Sequence, residues 1–161
     1  MLNKVPTLAF SLYLASISLA AAQAPMRPDP SRTPGAINPD VTQANIYKTI
    51  CVRGWTRSVR PPEDYTYRLK REQLREWGYS DQQTRDYEED HLIPLELGGN
   101  PTSPQNLWPE PRHGPWNARV KDRLENYLHG EVCAGRMPLE EAQREIAADW
   151  IGAYRKYLGQ P

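Results

Sequence analysis

The sequence lacks the features that mark a zinc ribbon, a repeat protein or a strongly basic nucleic-acid binder. It has only two cysteines, Cys51 and Cys133, and neither belongs to a Cys-x-x-Cys pair, so a zinc ribbon is not supported. Twenty Lys and Arg residues balance twenty Asp and Glu residues, so the net charge gives no sign of a nucleic-acid partner. No internal repeat is evident. The length of 161 residues indicates one small domain after any processing.

One long apolar run, at the N-terminus, predicts a secretory signal peptide over residues 1–22. Lys4 supplies the positive start, and residues 8–22 are mostly apolar or small but too few for a transmembrane helix. The small residues before Gln23 fit a small-x-small cleavage site, so the mature chain is expected to begin near Gln23. We therefore expect a secreted or periplasmic protein with no stable membrane insertion after cleavage. An uncleaved membrane anchor is the alternative.

Export changes how the two cysteines are interpreted. An even pair in a chain that enters an oxidising compartment favours a disulfide between Cys51 and Cys133. Such a bond would close a long loop, which the chain-entropy model values at about 4 kcal/mol of stability. Two unrelated buried thiols are the alternative.

The composition along the chain divides it into a tether and one domain. Residues 23–37 are rich in Pro, Ala and Arg without an apolar period, which indicates a flexible tether before a single domain of residues 38–161. In this domain, helical apolar spacing and helix start and stop signals predict four helices, at about residues 38–51, 63–77, 115–129 and 138–158. Two short strands are expected near residues 87–92 and 106–109, with Gly98 and Gly99 in the loop between them. The predicted fold class is α+β, mostly helical, with one small hairpin.

The charges are unevenly distributed along the domain. Residues 51–79 hold seven Lys and Arg against four acids, and residues 112–123 hold four against one. Residues 81–96 hold one Arg against six acids. An acidic segment flanked by basic ones suits a metal centre with phosphate contacts on either side. Ordinary solvated helix faces are the alternative.

An adjacent acid and histidine, Asp90 and His91, end the first predicted strand. Adjacent residues on a strand point to opposite faces, so Asp90 can reach a metal ion held against the third helix while His91 faces an attacking water. The pKa of histidine lies near neutrality, which suits a general base. Asn106 opens the second strand and is expected to orient His91.

The third predicted helix supplies the other side of this site. Asn117, expected in its first turn, offers an amide oxygen beside the Asp90 carboxylate, a ligand set that suits a hard divalent ion such as Mg²⁺, with Mn²⁺ or Zn²⁺ as alternatives. His113 competes with Asn117 for this role. Lys121 lies one turn after Asn117 and is expected to contact substrate phosphate. Arg119 is the second predicted substrate contact.

These residues carry a resemblance to a known family. Four segments together resemble the Asp-His…Asn…Asn variant of the HNH endonuclease motif: Asp90-His91, Gly98-Gly99, Asn106-Leu107 and Asn117. The wider pattern is similar to small exported bacterial proteins that carry this nuclease module, and the resemblance covers roughly residues 45–158. The zinc-knuckle cysteines of many HNH proteins are absent, and the disulfide could stabilise the fold instead.

The resemblance implies a fold and an activity. The fold would be a ββα-metal (HNH or His-Me finger) unit at about residues 86–129, surrounded by additional helices. Asp90 and Asn117 would bind the metal, His91 would be the general base, and Asn106 would steady the hairpin. The protein would then be an exported, metal-dependent endonuclease of little sequence specificity, with DNA favoured over RNA as substrate and a monomeric state favoured. The alternatives are an HNH-fold module in the periplasm that binds nucleic acid or protein without catalysis, and a helical structural protein.

Overall fold

The computed structural model describes residues 26–161 and contains four α-helices, two β-strands and three short 3₁₀ helices in this range. The α-helices are α1 (Trp55–Val59), α2 (Glu63–Glu76), α3 (Ala118–Cys133) and α4 (Leu139–Leu158). The strands are β1 (Tyr87–His91) and β2 (Leu107–Pro111), and the 3₁₀ helices are Gln43–Lys48, Thr84–Asp86 and Leu95–Leu97. The fold is α+β and mostly helical, as predicted. The predicted signal peptide lies outside the described residues, and no helix within them is long and apolar enough to cross a membrane.

The two strands form an antiparallel hairpin between α2 and α3. Tyr87 pairs with Pro111 and His91 with Leu107. The alternation of side chains along β1 separates Asp90, which contacts Lys121 on α3, from Tyr87, which packs with Leu74 on α2. The hairpin therefore presents one face to each helix, and the Asp-His pair stands at its end.

The main hydrophobic core lies where α3 and α4 pack together. Leu124 and Leu128 of α3 and Ile146 of α4 are fully buried there. Trp116 makes edge-on contacts with Trp150 and Tyr154 of α4, at ring-centroid distances of 5.8 and 5.6 Å. This core fixes α3, and through α3 the side chains that meet the hairpin.

The segment before residue 38 is packed against the domain. Thr33 is fully buried, Gly35 N–H donates to the Gln105 carbonyl at 2.9 Å, and Ile37 forms a β-bridge with Gly99. Trp150 Nε1 donates to the Met26 carbonyl at 3.2 Å. The prediction of a free tether is therefore wrong for residues 26–37, because backbone hydrogen bonds to distant loops hold this Pro-rich segment in place.

Two other local expectations differ from the structure. In place of the helix predicted at residues 38–51, the structure has the 3₁₀ helix Gln43–Lys48. No helix begins at Asn38, because its side chain accepts a hydrogen bond from Asp40 N–H at 3.0 Å and forms an Asx turn. The short helix α1, which begins directly after Gly54, is not among the four predicted helices.

The predicted disulfide between Cys51 and Cys133 is confirmed. The two Cα atoms are 5.6 Å apart and separated by 82 residues in sequence. The bond joins the segment after the first 3₁₀ helix to the last residue of α3.

Candidate active site

The loop between the strands is held in a fixed path by Asn106. Its fully buried side chain accepts from Ile93 N–H at 2.9 Å and donates to the Ile93 carbonyl at 2.9 Å and the Asn100 carbonyl at 3.1 Å. Gly99 approaches the Ile93 carbonyl so closely that a Cβ there would lie 1.8 Å from the oxygen. These contacts fix the position of Pro101, the residue after Asn100, beside the end of β1.

The His91 ring is oriented by the Pro101 carbonyl. His91 is 4% exposed, and its Nε2 lies 2.9 Å from the Pro101 oxygen. A carbonyl only accepts, so this contact assigns the proton to Nε2 and leaves the lone pair on Nδ1. Asn106 was predicted to orient the ring, but it acts one step further away, by fixing the loop that supplies Pro101.

Burial keeps the His91 ring neutral. Burial lowers the pKa of His91, although the Asp90 carboxylate and the Pro101 carbonyl act in the opposite direction. The ring is therefore neutral at neutral pH, with its one N–H at Nε2, and can accept a second proton at Nδ1.

Lys121 is fully buried and points from α3 into the hairpin. Its Nζ donates to Asp90 Oδ2 at 2.7 Å, to the His91 carbonyl at 2.8 Å and to a Glu125 carboxyl oxygen, and it lies 3.6 Å from Glu110 Oε2. The predicted phosphate contact by Lys121 is wrong, because the ammonium group is enclosed by these oxygens and has no solvent exposure. Arg119, on the same helix, is exposed.

Of the three carboxyl groups around the ammonium, Asp90 is the one whose charged form the Lys121 ammonium favours. Burial opposes the charge of Asp90, but Lys121 outweighs it and lowers the pKa of Asp90. The pKa of Lys121 is raised well above its usual value. Burial alone would lower it, but the nearby carboxyl groups outweigh burial. Burial raises the pKa of Glu110 well above its usual value and that of Glu125 to about 8. At neutral pH the charged partners are therefore Lys121 and Asp90.

Asn117 has a structural task at the start of α3. It is the N-cap residue, just before the first turn; its Oδ1 accepts from Val120 N–H at 3.2 Å, and its Nδ2 donates to the Gly114 carbonyl at 2.7 Å. The competing ligand, His113, is exposed and lies 3.4 Å from Asp86. The Asn117 side chain therefore contacts the backbone of its own helix start, and the His113 side chain lies beside Asp86. The structure gives no contact of either side chain with Asp90.

A hard divalent ion fits other oxygens near Asp90. The 18% exposed side chain of Asp90 lines a cavity of about 70 Å³ together with His91, Glu96 and Glu125. Glu96 Oε1 is buried without a hydrogen-bond partner among the described residues. One or two carboxylates completed by water suffice for Mg²⁺. The donor set therefore fits such an ion through Asp90 with Glu96, or with Glu125 once the ion displaces its proton, in place of Asn117.

A second cluster of side chains that can bind metal ions contains the two cysteines of the disulfide. Within residues 26–161, Cys51, His129 and Cys133 are the one cluster of three His, Cys, Asp or Glu whose ligand atoms all lie within 4.8 Å of one another. Both sulfur atoms belong to the disulfide, so this cluster does not support a metal site in the oxidised protein.

Sequence reasoning missed five residues of the site, one of which is Glu96 in the lining of the small cavity. Pro101 acts through a backbone carbonyl, which no residue pattern reveals. Glu110 lies two residues after Trp108 on β2 and therefore on the same face of the hairpin as Asp90. Glu125 lies one turn after Lys121 on α3. Both positions could be predicted once the elements were known. Arg60 lines both the small cavity and a second one of about 320 Å³, and His91 lines both as well.

Comparisons of the chain with protein-family models, with curated proteins and with solved structures found no match.

Proposed function

We propose that this protein is an exported, metal-dependent endonuclease of the HNH type that hydrolyses phosphodiester bonds in nucleic acid, DNA rather than RNA, with little sequence specificity. The observation that carries the proposal is the state of His91. The ring is buried and neutral, and the Pro101 carbonyl holds its Nε2 so that Nδ1 is the basic nitrogen. His91 lines two cavities. Three carboxyl groups and Arg60 line the smaller one, and three cations together with three acids line the larger one.

This arrangement suits phosphodiester hydrolysis. In the proposed step His91 Nδ1 takes a proton from water while the water oxygen bonds to phosphorus and the bond to the leaving oxygen breaks. A divalent ion held by Asp90, with Glu96 or Glu125, would stabilise charge on the phosphate and the leaving oxygen. Lys121 holds the Asp90 carboxylate in place, and Arg60, which lines both cavities, brings positive charge to the phosphate.

One observation favours a second candidate, a binding module without catalysis. The Lys121 ammonium is already surrounded by Asp90, Glu110, Glu125 and the His91 carbonyl, as a bound cation would be. If this ion pair excludes the divalent ion, the protein would bind nucleic acid and leave it intact.

DNA cleavage separates the two candidates. The wild-type protein is expected to nick supercoiled plasmid and to cut circular single-stranded DNA in Mg²⁺ or Mn²⁺, and to do neither in EDTA. His91→Ala should lower the rate about 100-fold or more, the usual contribution of a general base. His113→Ala is the matched control, because this exposed histidine lies beside Asp86 and lines neither cavity at His91.

Three outcomes would count against the proposal. Cleavage by His91→Ala at the wild-type rate would show that His91 is not the general base. Undiminished cleavage in EDTA would show that the reaction does not need a divalent metal ion. Binding of DNA without cleavage under every metal condition would favour the module without catalysis.

A further inference from the structure

Two clefts lie along α2, and the proposed chemistry uses only the edge of one. The first, of about 320 Å³, lies between α2 and the hairpin and contains His91, Tyr67 and Lys70 in its lining. The second, of about 490 Å³, is lined by Arg68, Arg71 and Arg75 of the same helix. Both clefts are polar, and neither has the apolar lining of a pocket for a small hydrophobic molecule.

Positive charge exceeds negative charge in these clefts. Six cations line them against four acids; the cations are Arg60, Arg68, Lys70, Arg71, Arg75 and Arg112. Lys70 Nζ and Arg112 Nε both donate to the Tyr87 carbonyl, each at 3.1 Å, so one oxygen holds two cations side by side. Arg60 makes no ion pair within residues 26–161. Exposed ion pairs hold Arg68, Arg75 and Arg112 to Asp64, Glu76 and Glu88. Within residues 26–161 Lys70 and Arg71 make no ion pair, so the clefts keep an excess of positive charge that suits a polyanion.

An exposed aromatic ring joins the two clefts. Tyr67 is 48% exposed and belongs to the cleft that contains His91. The Arg71 guanidinium lies 6.0 Å from the centre of this ring and lines the other cleft. Tyr67, Arg71 and Arg75 recur every four residues and therefore form one stripe along α2.

We infer that this stripe is a track for a single strand of nucleic acid that leads to His91, with a base stacked on Tyr67 and phosphates on Arg71 and Arg75. The inference rests on the proposed nuclease function for its class of ligand. An aromatic platform beside a cationic groove is the general means of holding unpaired bases, because an unpaired base can leave its own stack. A duplex keeps its bases stacked internally and offers Tyr67 no base face.

The test measures binding of fluorescent twelve-nucleotide single strands, DNA and RNA in separate arms, to the full protein in EDTA. Tyr67→Leu should weaken binding about fivefold or more, the usual effect of losing one stacked base. The same variant should bind an abasic strand of equal length as the wild type does. Arg71→Gln should weaken binding of the intact strand and of the abasic strand alike, and it should reduce the slope of log K against log salt concentration by about 0.7. Tyr47→Leu and Arg53→Gln are matched controls, because both residues are exposed and line neither cleft.

The outcomes separate the track from the nuclease function. Wild-type affinity in both Tyr67→Leu and Arg71→Gln, tighter binding of a duplex than of the single strand, or no binding of any strand would overturn the track. If the wild type cleaves DNA and these variants keep its affinity and KM, the track fails alone. If both variants bind weakly but the wild type cleaves nothing in any metal, the nuclease function fails alone.

Discussion

Lys121 is the residue that most changes the expected chemistry of the site. Its position one turn after the helix start suggested an exposed phosphate contact, but its side chain enters the hairpin and neutralises Asp90. A buried lysine without a partner would be costly, so the oxygens around it are part of why the fold accepts it. In the proposed reaction Lys121 would act only through Asp90 and the His91 backbone.

Removal of Lys121 is therefore expected to destabilise the fold. Lys121→Met leaves Asp90 as a largely buried charge without a partner, and the free energy of unfolding should fall by about 3 kcal/mol or more. Lys156→Met, which removes an exposed lysine paired with Glu145 at 2.8 Å, should leave the free energy of unfolding nearly unchanged, because solvent screens this pair. Urea unfolding measures both.

A second variant separates lost charge pairing from lost packing. Adding Asp90→Asn to Lys121→Met removes the unpaired charge and should recover part of the lost stability. A double variant that is less stable than Lys121→Met, or a Lys121→Met variant with the wild-type midpoint, would contradict the ion pair described here.

At the scale of elements, the loop between β1 and β2 does most to build the site. It delivers the Pro101 carbonyl to His91, and its path depends on Asn106 and on the close approach of Gly99 to Ile93. The loop is therefore a fixed part of the site, although it contains two prolines and little regular structure.

Substitutions of two glycines test this rigidity. A Cβ on Gly99 would lie 1.8 Å from the Ile93 oxygen and 2.7 Å from Asn106 Nδ2, so Gly99→Ala should lower the free energy of unfolding by about 2 kcal/mol or more. Gly130 in α3 has open space around its Cβ position, and Gly130→Ala should raise stability by about 0.5 to 1 kcal/mol. Thermal unfolding of the two variants gives the comparison. Equal stability of Gly99→Ala and the wild type would show that the loop has another path.

Element types were largely readable from the sequence, and element ends were not. The two strands, α2, α3 and α4 follow from apolar spacing, because this pattern reflects the buried faces that the structure contains. The end of α3 does not follow, because the helix continues through Gly130 to Cys133. The predicted start of α3, at about residue 115, is three residues before the observed start at Ala118, so Asn117 was placed inside the helix although it is the N-cap residue. An asparagine that caps a helix and one in its first turn look alike in sequence, but the side chain of the cap residue is bound to the backbone.

At the scale of the whole molecule, the site depends on contacts between distant parts of the chain. Lys121 reaches Asp90 across 31 positions, and Pro101 reaches His91 across ten. Spacing along a sequence indicates which residues share a face of one element but not which faces of two elements meet. The Asp-His pair could be predicted for this reason, whereas its partners Pro101, Glu110 and Glu125 could not.

The disulfide belongs to the same scale. It joins Cys51 to the last residue of α3, the helix that carries Lys121 and Glu125. Closure of a loop of this length contributes about 4 kcal/mol in the chain-entropy model. The bond therefore supports the site from a distance and takes no part in its chemistry.

The most direct test of the central claim, that His91 is the general base, is the pH dependence of single-turnover DNA cleavage. Burial lowers the pKa of His91, so the wild-type rate should rise with pH through a midpoint below 6.5 and then level off. His91→Ala should cleave about 100-fold more slowly or worse on the plateau and lose this acid limb, with an unchanged circular dichroism spectrum. A His91→Ala variant that keeps the wild-type rate and the same acid limb would contradict the account.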